Sequence, residues 1–250
     1  MGKRWITAAI AGLGLALVLS PVTAGATPPA HATLVRTHVF EPGPSVLGAH
    51  GKPQPSVANC SPDDSSQYGT TPTYTGFKST VSVRDAHFNA TTAPAGLTTA
   101  TADVQAAFNE WSATGEPAAP DFLVTTAAPV VTSATANRHT DVLFGRTQGN
   151  AIAVTYTWRW SDTNEYESDT VFNSRLAWAE ISTAGADGCD ENAGAVYDFQ
   201  NIATHEFGHI YGLDHPPGDR FATMYKYGYT GETLKRSLAT SDTTGIQSLY

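Results

Sequence analysis

The segment His205-Glu206-Phe207-Gly208-His209-Ile210-Tyr211-Gly212-Leu213-Asp214-His215 constrains this chain more than any other stretch of its sequence. Two histidines four residues apart on a helix lie about one turn apart on the same side, so both imidazoles reach a single point. Gly212 supplies a residue able to take positive φ, which lets the chain leave the helix sharply and swing His215 back as a third donor. Three neutral imidazoles occupy three corners of a tetrahedral zinc ion and leave the fourth for water, the mark of an open rather than a structural site. Glu206, next to the first histidine, is placed to act as a base on that water instead of as a ligand. A histidine pair alone also reads as a solvated face or a satisfied core pair. The added glycine and third histidine make an accident about three orders of magnitude rarer, given average Gly usage of about 7%.

The chain has 250 residues, of which 41% are hydrophobic and 15% charged, which suits one globular domain plus an extension. Its net charge of -9 argues against a general nucleic-acid or anionic-membrane partner, since either calls for a basic face. Lys3 and Arg4 followed by an apolar run over 5–19 and the small residues Ala24-Gly25-Ala26 read as a signal peptide over 1–26, with Ala26 or Ala32 as the last residue removed. The alternative, a membrane anchor, is disfavoured because a bilayer span needs roughly 20 apolar residues. The expected product is an extracellular monomer with no membrane segment. Export would carry Cys60 and Cys189 into an oxidising compartment, so a disulfide between them is the default. It would close a loop of about 130 residues, worth at most about 5 kcal/mol in the chain-entropy model.

Residues 27–73 are dense in Pro, Gly, Ser and Ala without a sustained period, which reads as an extension or pro-segment. Beyond them, 81–84 alternates like a strand. A helix is expected over 102–113, with Val104, Ala107, Phe108 and Trp111 on one face, Thr101 as start cap and Gly115 as end cap. Strands are expected over 122–126, 141–144, 151–158 and 168–172, where β-branched and aromatic residues concentrate. Asp198 caps a second helix over 199–211, whose stripe Phe199, Ala203, Phe207 and Ile210 faces the core. A last helix over 243–250 would be capped at Ser241 or Asp242. The order helix, strands, helix suggests a sheet packed by a few helices.

The extended motif from His205 to His215, with Met224 nine residues later in Ala222-Thr223-Met224-Tyr225, resembles that of the metzincin zinc peptidases, in which a Met-turn lies beneath the metal. Within that clan the chain looks most like a bacterial matrixin. Asp242-Thr243-Thr244-Gly245-Ile246-Gln247-Ser248-Leu249-Tyr250 is similar to the closing helix of that group, and Ser168-Asp169-Thr170-Val171-Phe172-Asn173 with Trp178 to its last strand. The likeness runs over roughly 81–250. It implies an α+β fold: a mixed, mainly parallel twisted sheet with a long first helix, an active-site helix and a C-terminal helix, the catalytic domain spanning 74–250. It further implies a zinc-dependent endopeptidase acting on proteins or peptides, with His205, His209 and His215 on one catalytic Zn2+ ion, Glu206 as general base and Met224 as an apolar floor.

Several features depart from the matrixin pattern. Ser241-Asp242 stands for the usual Asp-Asp, and Lys226 for the usual Pro after Met-Tyr. No histidine lies between Arg146 and Thr204, so the second, structural zinc of the vertebrate enzymes is not expected. The serralysin-like enzymes are the runner-up, given His215-Pro216 and the closing Ile-Gln-x-Leu-Tyr. The chain lacks their glycine-rich calcium repeats and has Lys226 at their ligand tyrosine. Matrixin pro-segments also suggest a rival role for Cys60: Asn59-Cys60-Ser61-Pro62-Asp63 partly echoes the thiolate latch of that family, and such a latch would leave Cys189 unpaired. Family geometry lays the substrate along an edge strand, for which 151–154 is the candidate; an ordinary internal strand is the other reading. A secreted zinc-binding module without catalysis is the main functional alternative, and metal-dependent deacylation a weaker one. Calcium is weighed on two acidic clusters, Asp162, Glu165, Glu167 and Asp169, and Asp187, Asp190 and Glu191, which read equally well as solvated loops. His31, His38, His50, His87 and His139 fall in no ligand motif.

Overall fold

The computed structural model describes residues 28–43, 46–47, 53–54, 71–79, 83–115, 119–127, 129–182, 188–190 and 193–250. The signal peptide expected over 1–26 lies outside them. Seven strands form one twisted sheet: β1 (Ala32–Pro42), β2 (Val83–Phe88), β3 (Asp121–Thr125), β4 (Thr140–Gly145), β5 (Ala153–Trp160), β6 (Tyr166–Asn173) and β7 (Tyr227–Gly228). Their spatial order is β7-β1-β5-β6-β4-β2-β3. The pairs β2–β3, β2–β4, β4–β6 and β1–β7 are parallel, while β5 runs antiparallel to both β6 and β1. With three helices, α1 (Ala100–Thr114), α2 (Phe199–Tyr211) and α3 (Thr240–Leu249), this is the mixed, mainly parallel α+β arrangement expected.

Each expected strand and helix has a counterpart within a few residues. On α1 the stripe Val104, Ala107, Phe108 and Trp111 is wholly buried. The cap of α1 is Thr99 rather than Thr101, with the Thr99 hydroxyl on Asp103 (2.9 Å). The last helix starts at Thr240, earlier than expected, and Asp242 sits at its third position, where Oδ2 accepts from the Ala239 N–H (3.1 Å). One difference is larger. Residues 32–42, inside the stretch without periodicity, form the longest strand, paired along β5 from Ala32 opposite Trp160 to Phe40 opposite Ala153. Only His38 and Phe40 are buried there, and Leu34 and Val35 remain exposed, so the period-two signal of a half-buried strand is too short to register.

Helices α1 and α2 pack on each other and on the sheet through aromatic pairs. Phe108 stacks on Phe207 with ring centroids 3.9 Å apart, and Phe199 meets Phe144 at 5.1 Å. Burying side chains of this size contributes about 1.5–3 kcal/mol each. A second, smaller cluster on the opposite face joins Leu143, Trp158, Trp160 and Val171 to Ala134 and Ala136. Buried carboxylates hold the loop there: Glu167 accepts the N–H groups of Asn137 (2.7 Å) and Arg138 (2.6 Å), and Asp169 those of Thr135 (2.8 Å) and Asp141 (3.0 Å). Asp162 pairs with Arg138 (2.5 Å). Three members of the first acidic cluster weighed for calcium are thus engaged by loop donors. In the second cluster, Asp187 and Glu191 lie outside the described residues.

Helices α1 and α2 approach closely at Gly208. A Cβ there would lie 2.7 Å from the Trp111 ring and 2.2 Å from Met224 Sδ, while Trp111 Nε1 donates to the Thr204 carbonyl across the same interface (2.8 Å). Gly208→Ala should therefore destabilise the fold by about 1–3 kcal/mol through overpacking, despite the better helix propensity of Ala. A denaturant midpoint at or above that of the wild type would contradict this packing.

Candidate metal centre

Helix α2 begins where Asp198, in extended conformation, accepts the Asn201 N–H on Oδ1 (2.9 Å). The same carboxylate is clamped by Arg236 through Nε (2.7 Å) and Nη2 (2.5 Å), so the cap also anchors the chain downstream of the Met-turn. All of α2 except Gln200 is buried. The core stripe read from the sequence is present, and the opposite faces are covered as well. At the far end Gly212 takes φ 106°, and a Cβ there would sit 2.3 Å from the Phe77 carbonyl oxygen. Only glycine meets both demands.

The turn returns His215 to the helix. Its Nε2 lies 3.2 Å from Nε2 of His209 and 3.2 Å from Nε2 of His205. The second ring nitrogen of each helical histidine is engaged: His205 Nδ1 on the Thr223 carbonyl (2.6 Å) and His209 Nδ1 on the Leu213 carbonyl (2.8 Å). A carbonyl only accepts, so both Nδ1 atoms carry the proton and both Nε2 atoms present bare lone pairs. Lone pairs directed at one point repel unless a cation lies between them. Donors about 2.0–2.1 Å from a tetrahedral zinc are separated by about 3.3–3.4 Å, which these spacings approach. Burial depresses His205 and His209 well below the usual imidazole range, and His215 to about 4. All three are therefore neutral, as ligation requires.

Glu206 is completely buried beside the triad. Its Oε2 accepts from the Thr155 hydroxyl of β5 (2.5 Å), and that hydroxyl lies 2.8 Å from Thr170 Oγ1 on β6. Oε1, also buried, has no hydrogen-bond partner among the described residues. Burial pushes the carboxyl up to about 8, and a cation at the imidazoles would oppose that shift by favouring the carboxylate. A buried acid with one oxygen engaged and one uncommitted suits proton transfer.

Met224, in the segment expected to be the Met-turn, is 1% exposed and lies against Gly208 of α2. The turn is held by Asp242, whose carboxylate accepts the N–H groups of Thr223 (2.7 Å) and Met224 (3.2 Å). Since the Thr223 carbonyl orients His205, the start of α3 positions an imidazole of the centre through a single peptide unit. Burial raises Asp242 to about 6 in spite of these bonds. The substitution of Ser for Asp at 241 has its own partner, as Ser241 Oγ donates to Asp219 (2.8 Å).

Several site residues escaped sequence reading. Thr155 belongs to a strand pattern that carries no functional signal, and Asp242, expected only as a helix cap and in the closing motif, gave no sign of its contact with Thr223 and Met224. His38, read as lacking a ligand role, lies in β1 with its ring stacked on His209 (3.8 Å between centroids, 5° between planes), and Phe40 stacks likewise on His205 (3.7 Å, 12°). Asp214 accepts from the His215 N–H (2.8 Å), pairs with Arg36 and lies 3.7 Å from His38 Nε2. The candidate substrate edge at 151–154 is flanked by β6 on one side and β1 on the other. His87 and His139 stack on each other (4.4 Å) away from this centre. Cys189 bridges to Glu232 in the backbone, and Cys60 lies outside the described residues, as does its expected pairing.

The family model described as Matrixin matches residues 84–250, more than half of the chain. No curated protein matches it. Among the described residues no helix is long and apolar enough to cross a membrane.

The depressed histidines tie the stability of the metal-free protein to pH. Their folded pKa values lie below the unfolded value of 6.5, so the unfolded chain binds more protons and the stability present above pH 6.5 is lost as pH falls towards 4. Metal-free protein should show this loss in urea midpoints taken between pH 7 and 4. His215→Gln should show a shallower one. Equal pH slopes for the two proteins would contradict the burial assigned to His215.

Proposed function

We infer that this chain, which belongs to the matrixin family, is a secreted zinc-dependent endopeptidase in which His205, His209 and His215 hold the ion and Glu206 is the general base. The observation that carries this reading is the convergence of neutral imidazoles, spaced 3.2 Å apart at His215, beside a buried carboxyl with one uncommitted oxygen. When bound, zinc supplies a Lewis acid for the scissile carbonyl and acidifies a water.

The protein's own groups supply the rest. Glu206 takes the proton of the attacking water and delivers it to the leaving amine, so no acyl-enzyme forms. Thr155 fixes the carboxylate by holding Oε2, which directs Oε1 to the water. The Thr223 and Leu213 carbonyls keep two imidazoles in the ligating tautomer, and removing such partners typically costs 10–100-fold in metal affinity or activity. Met224 closes the underside of the helix against water. Export through a cleaved leader over 1–26, a pro-segment within 27–73 and a Cys60–Cys189 disulfide complete the proposal, and all three suit an extracellular peptidase.

Glu206→Ala should retain one zinc and the fold while kcat/KM for a quenched peptide drops by about 10²–10⁴-fold, the usual share of a general base. His215→Ala should lower zinc affinity itself. Wild-type hydrolysis by the Glu206 variant, or undiminished zinc affinity after loss of His215, would reject the assignment.

A further inference from the structure

Buried hydroxyls are paired across the two strands whose inner face meets α2. Thr155 on β5 stands directly opposite Thr170 on β6, and Thr157 opposite Ser168. A hydrogen bond joins each pair, 2.8 Å between Thr155 Oγ1 and Thr170 Oγ1 and 2.9 Å between Thr157 Oγ1 and Ser168 Oγ. None of the four residues is more than 3% exposed. The next pair on this face, Ala153 opposite Phe172, is apolar and belongs to the main core. A hydroxyl in such a core costs free energy unless it is bonded, and a valine of the same shape would fill an internal strand position without that cost.

The two hydroxyl pairs differ in one respect. Among the described residues Thr157 and Ser168 bond only to each other through their hydroxyls. Thr155 has a further partner, since Glu206 Oε2 accepts its proton at 2.5 Å. A threonine hydroxyl carries a single proton. That of Thr155 is committed to the carboxyl oxygen, so the proton between the two threonines is the one on Thr170. The bonds therefore run in one direction, from Thr170 to Thr155 to Glu206 Oε2, and bonds aligned head to tail strengthen one another. Turning the first bond round would aim a lone pair of Thr155 at Oε2.

Thr170 has a rigid seat from which to hold this direction. It lies on an inner strand and is paired on both sides, with Val142 of β4 and Thr155 of β5. It is completely buried, and a β-branched side chain has little freedom at χ1. Successive side chains on one face of a strand are about 6.6 Å apart, so the Thr157–Ser168 pair stands one step away from Glu206 and cannot take over the task.

We propose that Thr170 is a positioning residue for Glu206: by donating to Thr155 it fixes the Thr155 hydroxyl as a donor to Oε2, which leaves Oε1 as the oxygen that meets the water. Thr170 acts through Thr155 alone. The proposal rests on the peptidase reading for its effect on rate, while the direction of the bonds stands without it.

The test uses the full chain, zinc-loaded, and a quenched peptide. Thr155→Val should lower kcat by about 10–100-fold and Thr170→Val by about 3–10-fold, each with KM and zinc affinity unchanged, because the loss falls on the chemical step and not on binding. The double variant should be no slower than Thr155→Val, since the Thr170 hydroxyl then has nothing left to act on. Thr170→Ser keeps the hydroxyl and should retain the wild-type kcat. Thr157→Val removes an equally buried hydroxyl from the neighbouring pair and should lose stability without losing rate. The carboxyl stretching band of Glu206, isolated by infrared difference against Glu206→Gln, reads the same contact without turnover. It should shift in Thr155→Val and Thr170→Val and stay in place in Thr157→Val. If the band follows Thr155 and Thr170 while no form hydrolyses the peptide, the hydroxyl chain stands and the peptidase reading falls. An unmoved band in folded Thr170→Val overturns the proposal, as does a wild-type kcat for that variant in an active enzyme. Additive losses in the double variant, or a Thr157→Val as slow as Thr170→Val, overturn it equally. Should valine at 170 prevent folding, Thr170→Cys, a weak donor of similar size, takes its place in each comparison.

Discussion

The return of the third imidazole to the candidate metal centre depends on one backbone torsion, the left-handed turn at Gly212. Because φ there is 106°, the first and third residues beyond it serve opposite ends of the same task. The Leu213 carbonyl returns to fix the His209 ring, and His215 returns to complete the triad. The Phe77 carbonyl closes against the glycine where any side chain would stand, and Thr75 donates to the Gly212 carbonyl from the same segment (2.9 Å). A residue with a Cβ would have to move this neighbouring backbone as well as bear the conformational cost. The turn is therefore fixed by sterics from outside the helix, and the ligand geometry follows from it.

Around this turn the protein assembles an apolar enclosure whose few polar groups each have a specified partner. The imidazoles are kept neutral by burial, and carbonyls from the Met-turn and the helix end hold the protons on the far side of the rings. Asp242 reaches the centre through the Thr223 peptide, while Asp198 links the start of α2 to the segment beyond it through Arg236. Glu206 and His38 are exceptions: Thr155 binds one Glu206 oxygen and the other is uncommitted, and His38 Nδ1 is buried without a hydrogen-bond partner among the described residues. In a site this dry, an unpaired carboxylate oxygen costs free energy, and such a cost is retained where chemistry uses it.

Much of this was legible in the sequence because it is local. The spacing of His205, Glu206, His209, Gly212 and His215 encodes a helix, its stop and the return of the chain within eleven residues, and Asp198 and Gly115 are caps whose effect lies within a turn of their own position. The face of α1 could be read because four large residues recur at helical spacing. What could not be read is contact between distant segments. Thr155 looks like any β-branched strand residue until β5 passes over Glu206, and the part played by Asp242 appears only once α3 meets the Met-turn. His38 and Phe40 were hidden in a Pro- and Gly-rich stretch whose single short buried run, His38 and Phe40, is decided by what it covers rather than by its own pattern.

The pairing of β1 also bears on the order in which the molecule assembles. Its partners lie more than a hundred residues away in one direction of the chain, at 153–160 on β5 and then at 227–228 on β7. Neither surface exists until the sheet and the Met-turn are in place, and closing loops of that length carries an entropic cost that local contacts do not. The helices and the β5–β6 hairpin, built from near neighbours, have no such requirement. The strand is thus the element of the sheet whose pairing carries the largest loop-closure cost.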